Sequence, residues 1–419
     1  MEKLIVLRKL IRKKISRFHF LEKLLVLIYE YLNYFLYRKN KKVYLNENVS
    51  LDKVGKINNF WGYYDKSPEK NGYHIYHSFQ KKDIPRNLDT IDICFGTHKI
   101  SKTNTWNWQQ GSMLTWFNKE EVIHNFYDKT FKSKIINIKT KEVKIIDFPI
   151  YSVSKNCKFS ISLNFSRLAK LRPDYGYFNE KFHEVEKWDT KDGVFFIDIE
   201  KNTKKLIISF EKLIELNYRD EMKSAYHKVN HIDISPNGER FMFIHRWINS
   251  EGKKWSRLIT ADINGENIYI LSDDDMVSHC IWKNNHEILG WMRKKEFGDK
   301  YYLLEDKTDK FQIIGDGILN EDGHPSFSKD KEWLLTDTYP NKSRMGKVLL
   351  YNLKTKKLVK LAEFYSSIKL SVENRCDLHP RFSDTDGYIT FDSDFKGTRA
   401  LYKMEIRKVL KNDSNFKLA

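Results

Sequence analysis

The chain has 419 residues, of which 41% are hydrophobic, 14% aromatic and 31% charged, with only 18 glycines and 8 prolines. These proportions exclude a globally disordered chain and a low-complexity or collagen-like one. The length fits two or three ordinary domains or one large all-β domain, and the many aromatic residues favour strands. The net charge of +18 suggests an anionic partner: nucleic acid, a membrane or an acidic polysaccharide.

The positive charge is concentrated at the N-terminus. Residues 1–42 carry twelve Lys or Arg and three Glu, so a tenth of the chain supplies +9 of the +18. The rest is only mildly basic, and its aromatic residues lie in strand-like segments rather than between basic residues, so we expect no nucleic-acid partner. Four widely spaced cysteines without a CxxC pair indicate reduced thiols and a cytoplasmic protein.

The first 42 residues predict a basic, amphipathic helical extension. Leucines and isoleucines recur at helical spacing with cations between them: Leu4, Leu7, Arg8, Lys9, Leu10, Ile11, Arg12, Lys13 and Ile15. This pattern is typical of a helix that lies in the interface of an anionic membrane. The alternative is a helical pair packed on the main domain. Residues 18–37 are long enough to span a bilayer, but Glu22, Lys23 and Glu30 interrupt them, so we expect a peripheral protein on the inner face of the membrane.

A repeated unit occupies the rest of the chain. Each copy contains a short strand, a tight turn and a second strand, and the copies lie at 63–79, 110–128, 150–167, 231–246, 278–293, 324–339 and 378–394. A period of roughly 40–50 residues with four strands per repeat is that of a β-propeller. We therefore predict an all-β, seven-bladed β-propeller over residues 43–408, with a polar tail at 409–419. Residues 43–48 are predicted to close the ring.

The repeat alignment places particular side chains at the mouth of the central channel. The entrance of the first strand of each blade presents Asp65, Gln110, Tyr151, His231, His279, His324 and His379. The end of the returning strand presents Arg167, His245, Arg246, Arg293, Asp337 and Tyr339. Converging imidazoles are common metal ligands, and arginines suit carboxylates or phosphates. The alternative is a structural role in which the histidines bind channel water and brace neighbouring blades.

Several segments resemble known propellers. HPSFS (324–328) with TDTYP (336–340), and DLHPRFS (377–383) with FDS and GTRALY, resemble the TolB-type propellers, specifically the oligogalacturonate-lyase-like group. WGYYDKSP, WNWQQG, LNFSRLAKLRPDYGY and NHIDISPNGERFMFIHRW are similar to propeller proteins of bacterial capsule and surface-polysaccharide gene clusters. The resemblance covers residues 57–406 and implies an acidic saccharide or lipid-linked glycan as ligand.

The resemblance to oligogalacturonate lyases also implies a chemistry. Those lyases hold a divalent metal, manganese or similar, through three histidines and a glutamine, and the metal acidifies the C5 proton of a uronate for β-elimination. By repeat position, His279, His324 and His379 would be the imidazole ligands. The lyases cluster the glutamine and two histidines in one short segment, which this sequence lacks.

Two functions follow as hypotheses. In the first, the protein is a glycan-active, lyase-like enzyme, with His231 or His245 transferring protons and Arg167, Arg172 and Arg246 binding a carboxylate or a lipid-linked phosphate. The further substrate-binding candidates are Asp65, Gln110, Arg293, Asp337 and Tyr339. In the second, the protein is a non-catalytic glycan-binding or scaffold propeller of a polysaccharide assembly. We expect a monomer in either case.

Overall fold

The structure, a computed structural model, describes residues 19–37, 43–55, 58–80, 89–180, 185–370 and 372–412. The predicted amphipathic pattern at residues 4–15 and the end of the predicted polar tail, 413–419, lie outside the described residues. The described chain begins with helix α1 (His19–Tyr37) and strands β1 (Tyr44–Leu45) and β2 (Ser50–Lys53).

Seven antiparallel sheets follow one another along the chain. Blade 1 contains β3 (Asn59–Phe60), β4 (Glu69–Lys70), β5 (Tyr73–Ser78), β6 (Ile91–Phe95) and β7 (His98–Thr103). Blade 2 contains β8 (Thr115–Trp116), β9 (Glu121–Asp128), β10 (Thr130–Asn137) and β11 (Val143–Ile146). Blade 3 contains β12 (Ser152–Val153), β13 (Phe159–Leu163), β14 (Gly193–Asp198) and β15 (Thr203–Ser209). Blade 4 contains β16 (Tyr226–Ile234), β17 (Arg240–Ile248), β18 (Lys254–Asp262) and β19 (Tyr269–Ser272).

The remaining blades have the same plan. Blade 5 contains β20 (Val277–Trp282), β21 (Glu287–Lys294), β22 (Gly298–Glu305) and β23 (Phe311–Ile314). Blade 6 contains β24 (Ser326–Phe327), β25 (Trp333–Asp337), β26 (Met345–Asn352) and β27 (Leu358–Tyr365). Blade 7 contains β28 (Arg381–Phe382), β29 (Tyr388–Ser393) and β30 (Ala400–Glu405). Short helices lie at α2 (Phe165–Leu171), α3 (Phe210–Glu215) and α4 (Arg407–Lys411), with 3-10 turns at Asp220–Met222 and Val372–Asn374. The predicted seven-bladed propeller is confirmed.

The N-terminal strands complete the last two blades. β2 pairs with β30, with Ser50 opposite Glu405 and Lys53 opposite Tyr402, so residues 50–53 supply the fourth strand of blade 7. β1 instead adds a fifth strand to blade 6 by pairing with β27. The prediction that residues 43–48 close the ring was therefore wrong by one strand. The reason is a turn after β1, in which the Asn46 side chain accepts a hydrogen bond from the backbone N–H of Asn48 at 3.0 Å and redirects the chain to the next blade.

The hydrophobic core lies between adjacent sheets. Ile161 and Ile197 of blade 3 and Phe241 and Ile259 of blade 4 are fully buried members of one cluster. Alternating apolar residues on the two faces of each sheet bury both faces against the neighbouring blades, which fixes the radial positions of the innermost strands. The ring thus holds the entrances of the inner strands around one axis.

Helix α1 is attached to the outside of blade 6. Tyr34 is its one buried residue among those whose side chains are described, and its ring lies 6.3 Å from that of Tyr365. Leu32, Phe35 and Leu36 are 56%, 58% and 76% exposed. No helix in the described part of the chain combines the length and the apolar character needed to cross a bilayer.

Buried neutral histidines make the fold sensitive to acid. His124 is fully buried, with its Nδ1 2.9 Å from the Asn125 carbonyl oxygen and its Nε2 3.0 Å from the Ser101 hydroxyl. Burial lowers its pKa to about 4. From pH 7 to pH 5 the unfolded chain takes up a proton there while the folded chain does not, so this residue should lower the free energy of unfolding by about 2 kcal/mol. Denaturant titrations of wild type and His124→Gln at both pH values measure this, and an unchanged pH dependence in the variant would contradict it.

Candidate functional site

Four histidines from four consecutive blades meet near the axis of the ring. We call His231, His279, His324 and His379 the histidine cluster; each is at most 4% exposed. The ring centroids of His279 and His324 are 4.2 Å apart, those of His324 and His379 are also 4.2 Å apart, and those of His231 and His279 are 6.3 Å apart. The repeat places all four at the entrance of an inner strand, and radial symmetry brings them together.

Two tyrosines of blade 1 occupy the space between these histidines. The Tyr63 ring lies 5.5 Å from His231 and 5.1 Å from His379, and the Tyr64 ring lies 5.4 Å from His324. Both tyrosines are buried, and burial raises the pKa of both well above its ordinary value. The repeat alignment does not point to them, although they directly precede Asp65. The Tyr-Tyr pair at the entrance of blade 1 was the available signal.

His231 uses both ring nitrogens within the protein. Its Nδ1 lies 2.9 Å from the Tyr63 hydroxyl, while its Nε2 lies 2.9 Å from the Tyr64 hydroxyl and 2.7 Å from the Cys280 carbonyl oxygen. Its φ of 57° is in the left-handed region, and a bulge in the pairing of β16 with β17 accommodates this conformation. Burial lowers its pKa to about 4. These contacts hold blades 1, 4 and 5 together.

His324 and His279 are oriented by carboxylates. His324 Nδ1 lies 2.8 Å from Asp337 Oδ1, and His279 Nδ1 lies 3.1 Å from Asp322 Oδ1. Burial opposes the charged form of His324, but the charge and hydrogen bond of Asp337 raise its pKa above the ordinary value. Burial and the neighbouring His324 lower the pKa of His279 well below its ordinary value. A carboxylate on Nδ1 fixes the tautomer and the orientation of the ring, as in the outer coordination sphere of many metal sites.

His324, Asp377 and His379 form a group that can hold a metal ion, which we call the three-ligand group. One ligand atom from each lies within 4.8 Å of the others. The Nε2 atoms of His324 and His379 are buried and have no hydrogen-bond partner among the described residues. A cavity of about 10 Å³ borders His324, Asp337, Tyr339 and Asp377, enough for one ion or one water molecule. Two imidazoles and a carboxylate suit a divalent transition metal, so the residues fit such an ion.

Asp377 enters this group from a neighbouring network. Arg375 donates through Nε to Asp377 Oδ2 at 2.8 Å and through Nη1 to Asp174 Oδ2 at 2.7 Å. The ligands predicted from the sequence are His279, His324 and His379, without Asp377. Its position two residues before His379, in the segment DLHP, was the available signal.

A basic cleft with a cavity of about 530 Å³ lies on blades 4 and 5, next to the segment 171–174 that follows α2. Its cationic lining residues are Arg172, Lys228, Arg246, Lys253, Lys254 and Arg293. Arg246 donates to Asn230 Oδ1 at 3.0 Å and to the Ser278 carbonyl oxygen at 3.3 Å, and burial and Arg172 lower its pKa to about 10. The Ser278 hydroxyl in turn donates to Asp322 at 2.6 Å. The cleft is thus joined to the carboxylate that orients His279.

Other predicted site residues lie near the histidine cluster or at the rim of the cleft. Asp337 binds His324, and the Tyr339 ring lies 5.5 Å from that of His324. Arg172 lies in the cleft with its guanidinium 4.3 Å from the centre of the Tyr175 ring. Arg293 lines the rim, 45% exposed, where it forms a bidentate ion pair with Asp299.

Two of the predicted site residues, Arg167 and His245, instead form buried hydrogen-bond networks with other parts of the protein. Arg167 donates through Nε to Asp192 at 2.7 Å and through both terminal nitrogens to the Glu186 carbonyl oxygen at 3.1 Å. His245 lies 3.0 Å from His227 Nδ1 and 3.2 Å from Arg257 Nε, and burial and Arg257 lower its pKa well below the ordinary value. Neither has a described hydrogen bond or ion pair with the histidine cluster.

Asp65 and Gln110, also predicted to bind substrate, lie neither in the basic cleft nor in the three-ligand group. Asp65 forms an ion pair with Lys66 and lines a second cavity of about 300 Å³ that Asp233 also borders. Gln110 donates through Nε2 to the Tyr151 hydroxyl at 2.8 Å, and that hydroxyl accepts from the backbone N–H of His231 at 2.9 Å. Gln110 and Tyr151 therefore support the backbone of His231.

Comparison with solved structures identifies the architecture. An oligogalacturonate lyase from Vibrio parahaemolyticus is similar at 13% identity and a TM-score of 0.58, over 88% of this chain and 97% of that chain. An oligogalacturonate lyase in complex with manganese is similar at 12% identity and a TM-score of 0.60, over 88% of this chain and 96% of that chain. No family model and no curated protein sequence matches the chain. The fold is therefore a seven-bladed β-propeller like that of the oligogalacturonate lyases.

The contacts of His231 predict a structural role that a variant can test. His231→Ala would leave the Tyr63 and Tyr64 hydroxyls without their shared partner in a buried site, at a cost of about 3 kcal/mol in unfolding free energy. Denaturant unfolding measures this cost. His286→Ala, at an exposed histidine, is the control and should unfold like wild type. A variant of His231 with wild-type stability that had lost only a catalytic activity would support the proton-transfer role instead.

Proposed function

We propose that the protein is a metal-dependent lyase that acts on an acidic, uronate-containing saccharide by β-elimination. The observation that carries this proposal is the pair of buried, unpartnered Nε2 atoms of His324 and His379 beside the Asp377 carboxylate. The likeness in fold to a manganese-containing lyase supports it. The substrate would be an acidic oligosaccharide or lipid-linked glycan of a surface polysaccharide.

The three-ligand group would hold the divalent cation, with manganese or a similar ion expected. When bound, such an ion supplies Lewis-acid polarisation of the uronate carboxylate, which makes the proton at C5 more acidic. The protein positions the ligands before binding, since Asp337 fixes His324 and Arg375 fixes Asp377. This arrangement reduces the reorganisation that binding requires.

His279 is the residue best placed to accept the C5 proton. It adjoins His324 but lies outside the three-ligand group, and Asp322 occupies its Nδ1. In the elimination, the C5 proton moves to Nε2 of His279 and the C5–H electron pair forms the C4–C5 double bond. The C4–O bond breaks, the departing oxygen takes a proton from water, and the hydroxide that remains later takes the C5 proton from His279. Asp322 then stabilises the imidazolium, which is the usual role of such a partner.

The basic cleft supplies the charge that an acidic sugar requires. Arg172 and Arg246 present guanidinium groups that can bind carboxylate oxygens in a bidentate manner. Both guanidinium groups are partly buried. Water therefore competes less for their N–H donors, which strengthens an ion pair with a carboxylate. They would orient the uronate so that its C5 faces His279.

Three alanine variants separate metal binding from proton transfer. We expect His324→Ala and His379→Ala to lose stoichiometric manganese, and His279→Ala to retain the metal while losing elimination by at least a hundredfold. Metal content after dialysis and the ultraviolet absorbance of the unsaturated product from oligogalacturonides are the measurements. His286→Ala is again the control. Loss of metal from His279→Ala would make His279 a ligand, as the sequence analysis expects, and a wild-type protein without metal or product would contradict the proposal.

The burial of the three-ligand group favours a second candidate function, in which the protein binds a glycan without cleaving it. His324, Asp377 and His379 are 1%, 6% and 2% exposed, and a closed site of this kind suits a resident structural ion. The same assay distinguishes this case: the protein would retain manganese and bind oligogalacturonides without forming an unsaturated product.

We also propose that helix α1 binds an anionic membrane surface on the cytoplasmic side. Large apolar side chains of α1 are exposed, namely Leu25, Ile28, Tyr29, Leu32, Phe35 and Leu36. The segments that flank this helix, 1–18 and 38–42, carry a net charge of +10, whereas the helix itself carries −1. Exposed apolar side chains together with flanking cations match the interface of an anionic bilayer, where the former enter the acyl boundary and the latter pair with phosphates.

Vesicle flotation tests this partner. We expect the protein to float with phosphatidylglycerol-containing vesicles, to bind phosphatidylcholine weakly, and to dissociate as salt rises, because lipid charges are screened over about 8–10 Å. The double substitution Leu32→Glu and Leu36→Glu should abolish flotation. Ile318→Glu, at another exposed apolar residue, should not. Equal binding by both variants, or dimerisation through α1 in place of flotation, would contradict the proposal.

A further inference from the structure

A buried lysine without an anionic partner lies in the wall of the basic cleft. Lys228, on β16, is 6% exposed and lines the cavity of about 530 Å³. Its Nζ donates to the Leu171 carbonyl oxygen at 2.7 Å and forms no ion pair with a described residue. A neutral amine can donate such a bond, whereas removal of an unpaired ammonium from water is costly. This environment therefore favours the neutral amine.

The cross-strand neighbour of Lys228 is a second cation. Arg246, on β17, lies directly opposite Lys228 in the antiparallel pair. Side chains in such positions are close enough to interact, and like charges there repel each other. The described hydrogen bonds of the Arg246 guanidinium go to the neutral oxygens of Asn230 and Ser278, and it forms no ion pair with a described residue. Arg246 therefore opposes a proton on Lys228.

The remaining charged groups around Lys228 leave the local balance positive. Arg172 and Asp174 face it from the loop after α2, and Lys254 faces it from β18. Asp174 is shared, because it lies 3.5 Å from Arg172 Nε and 2.7 Å from Arg375 Nη1. The cavity has three further charged lining residues, Lys253, Asp275 and Arg293. Burial first, and then the facing cations, hold the pKa of Lys228 well below its ordinary value, against the charge of Asp174.

The cleft combines this amine with groups that can hold a small organic acid. A lysine attacks a carbonyl group as the neutral amine, and desolvation or a neighbouring cation is what makes a lysine neutral near pH 7. The guanidinium groups of Arg172 and Arg246 belong to the same lining and can bind a carboxylate. Part of the wall is apolar, formed by Trp247, Ile248, Trp255 and Met276. The cavity is large enough for a small molecule.

We propose that Lys228 forms an imine with a 2-oxo acid, whose carboxylate binds Arg172 and Arg246. Nζ forms a bond to the keto carbon, the C=O electron pair moves to the oxygen, and a proton passes from the nitrogen to that oxygen. The hydroxyl group then takes a proton from solvent and leaves as water, while the nitrogen lone pair forms the C=N bond. The step consumes no oxidant or reductant. None of the three predicted metal-binding residues of the three-ligand group lines the cleft, so the reaction requires neither the metal nor the elimination proposed above.

Reductive trapping with pyruvate tests the proposal. The full-length protein, freed of metal by a chelator, is treated at pH 7 with pyruvate and cyanoborohydride, which converts an imine into a stable carboxyethyl amine. Peptide mapping by mass spectrometry then gives the rate of labelling at each lysine. We expect Lys228 to react faster than the exposed Lys205 by a factor of about ten or more, because an ordinary lysine, with a pKa of about 10.4, is almost fully protonated at this pH. Acetone, which has no carboxylate, should label Lys228 more slowly than pyruvate does.

Substitutions separate the nucleophile from its activation. Lys228→Met should lose the label in its peptide, and Lys205→Met should leave the labelling of Lys228 unchanged. In Arg246→Met, the labelling rate of Lys228 should rise with pH at a higher pH than in wild type, because the amine loses the cation that opposes its proton. A purely structural role of Arg246 would not move this profile.

Labelling of Lys228 no faster than that of Lys205 would overturn the proposal, and equal rates with acetone and pyruvate would overturn the assignment to 2-oxo acids. The first comparison is made within the wild-type protein, so it does not depend on the folding of a variant. A protein that forms the imine but shows no elimination would refute the proposed lyase activity alone.

Discussion

Closure of the ring is the constraint on which the rest of the structure depends. Each blade is a separate sheet, and the pairing of residues 50–53 with β30 turns an arc of sheets into a closed circle. A second contact joins blade 7 to blade 1: the Asp392 carboxylate accepts hydrogen bonds from the backbone N–H groups of Trp61 and Gly62 at 2.9 and 2.8 Å. Blade 1 contributes Tyr63 and Tyr64 to the axis, and blades 6 and 7 contribute His324 and His379. The candidate site is therefore assembled across the closure and exists only in the closed ring.

Within that ring, the histidines at the entrance of the inner strands have different roles because they contact different atoms. His231 is enclosed by two tyrosine hydroxyls and a carbonyl oxygen, so neither nitrogen remains available to a ligand. His324 binds a carboxylate through Nδ1 alone, which leaves Nε2 directed into the cluster without a partner. A fourfold recurrence of histidine in the sequence thus contains both a brace and a candidate ligand. The neighbours, and not the histidines, set the chemistry.

The sequence predicted the fold well because the propeller signal is local and repeated. Seven hairpins at regular spacing specify seven blades and the entrance of each inner strand, so the sequence alone is enough to bring the four histidines together. Contacts between distant segments have no such signal. Arg167 and His245 occupy positions equivalent to those of residues at the channel, yet local acids and a buried arginine engage them. Asp377 becomes a candidate ligand because it lies beside His324 of the preceding blade, and no pattern along the chain reveals this.

The pairing of the first strands with the last ones has a consequence for how the protein is made. Residues 44–53 leave the ribosome long before their partners, because β27 begins at Leu358 and β30 at Ala400. Throughout translation these strands have exposed edges and no native partner, and such edges favour wrong pairings. Contacts between the two ends of a long chain also have a high entropic cost and form slowly. Biosynthesis therefore delays closure of the ring, and with it the assembly of the three-ligand group, until β30 has been released.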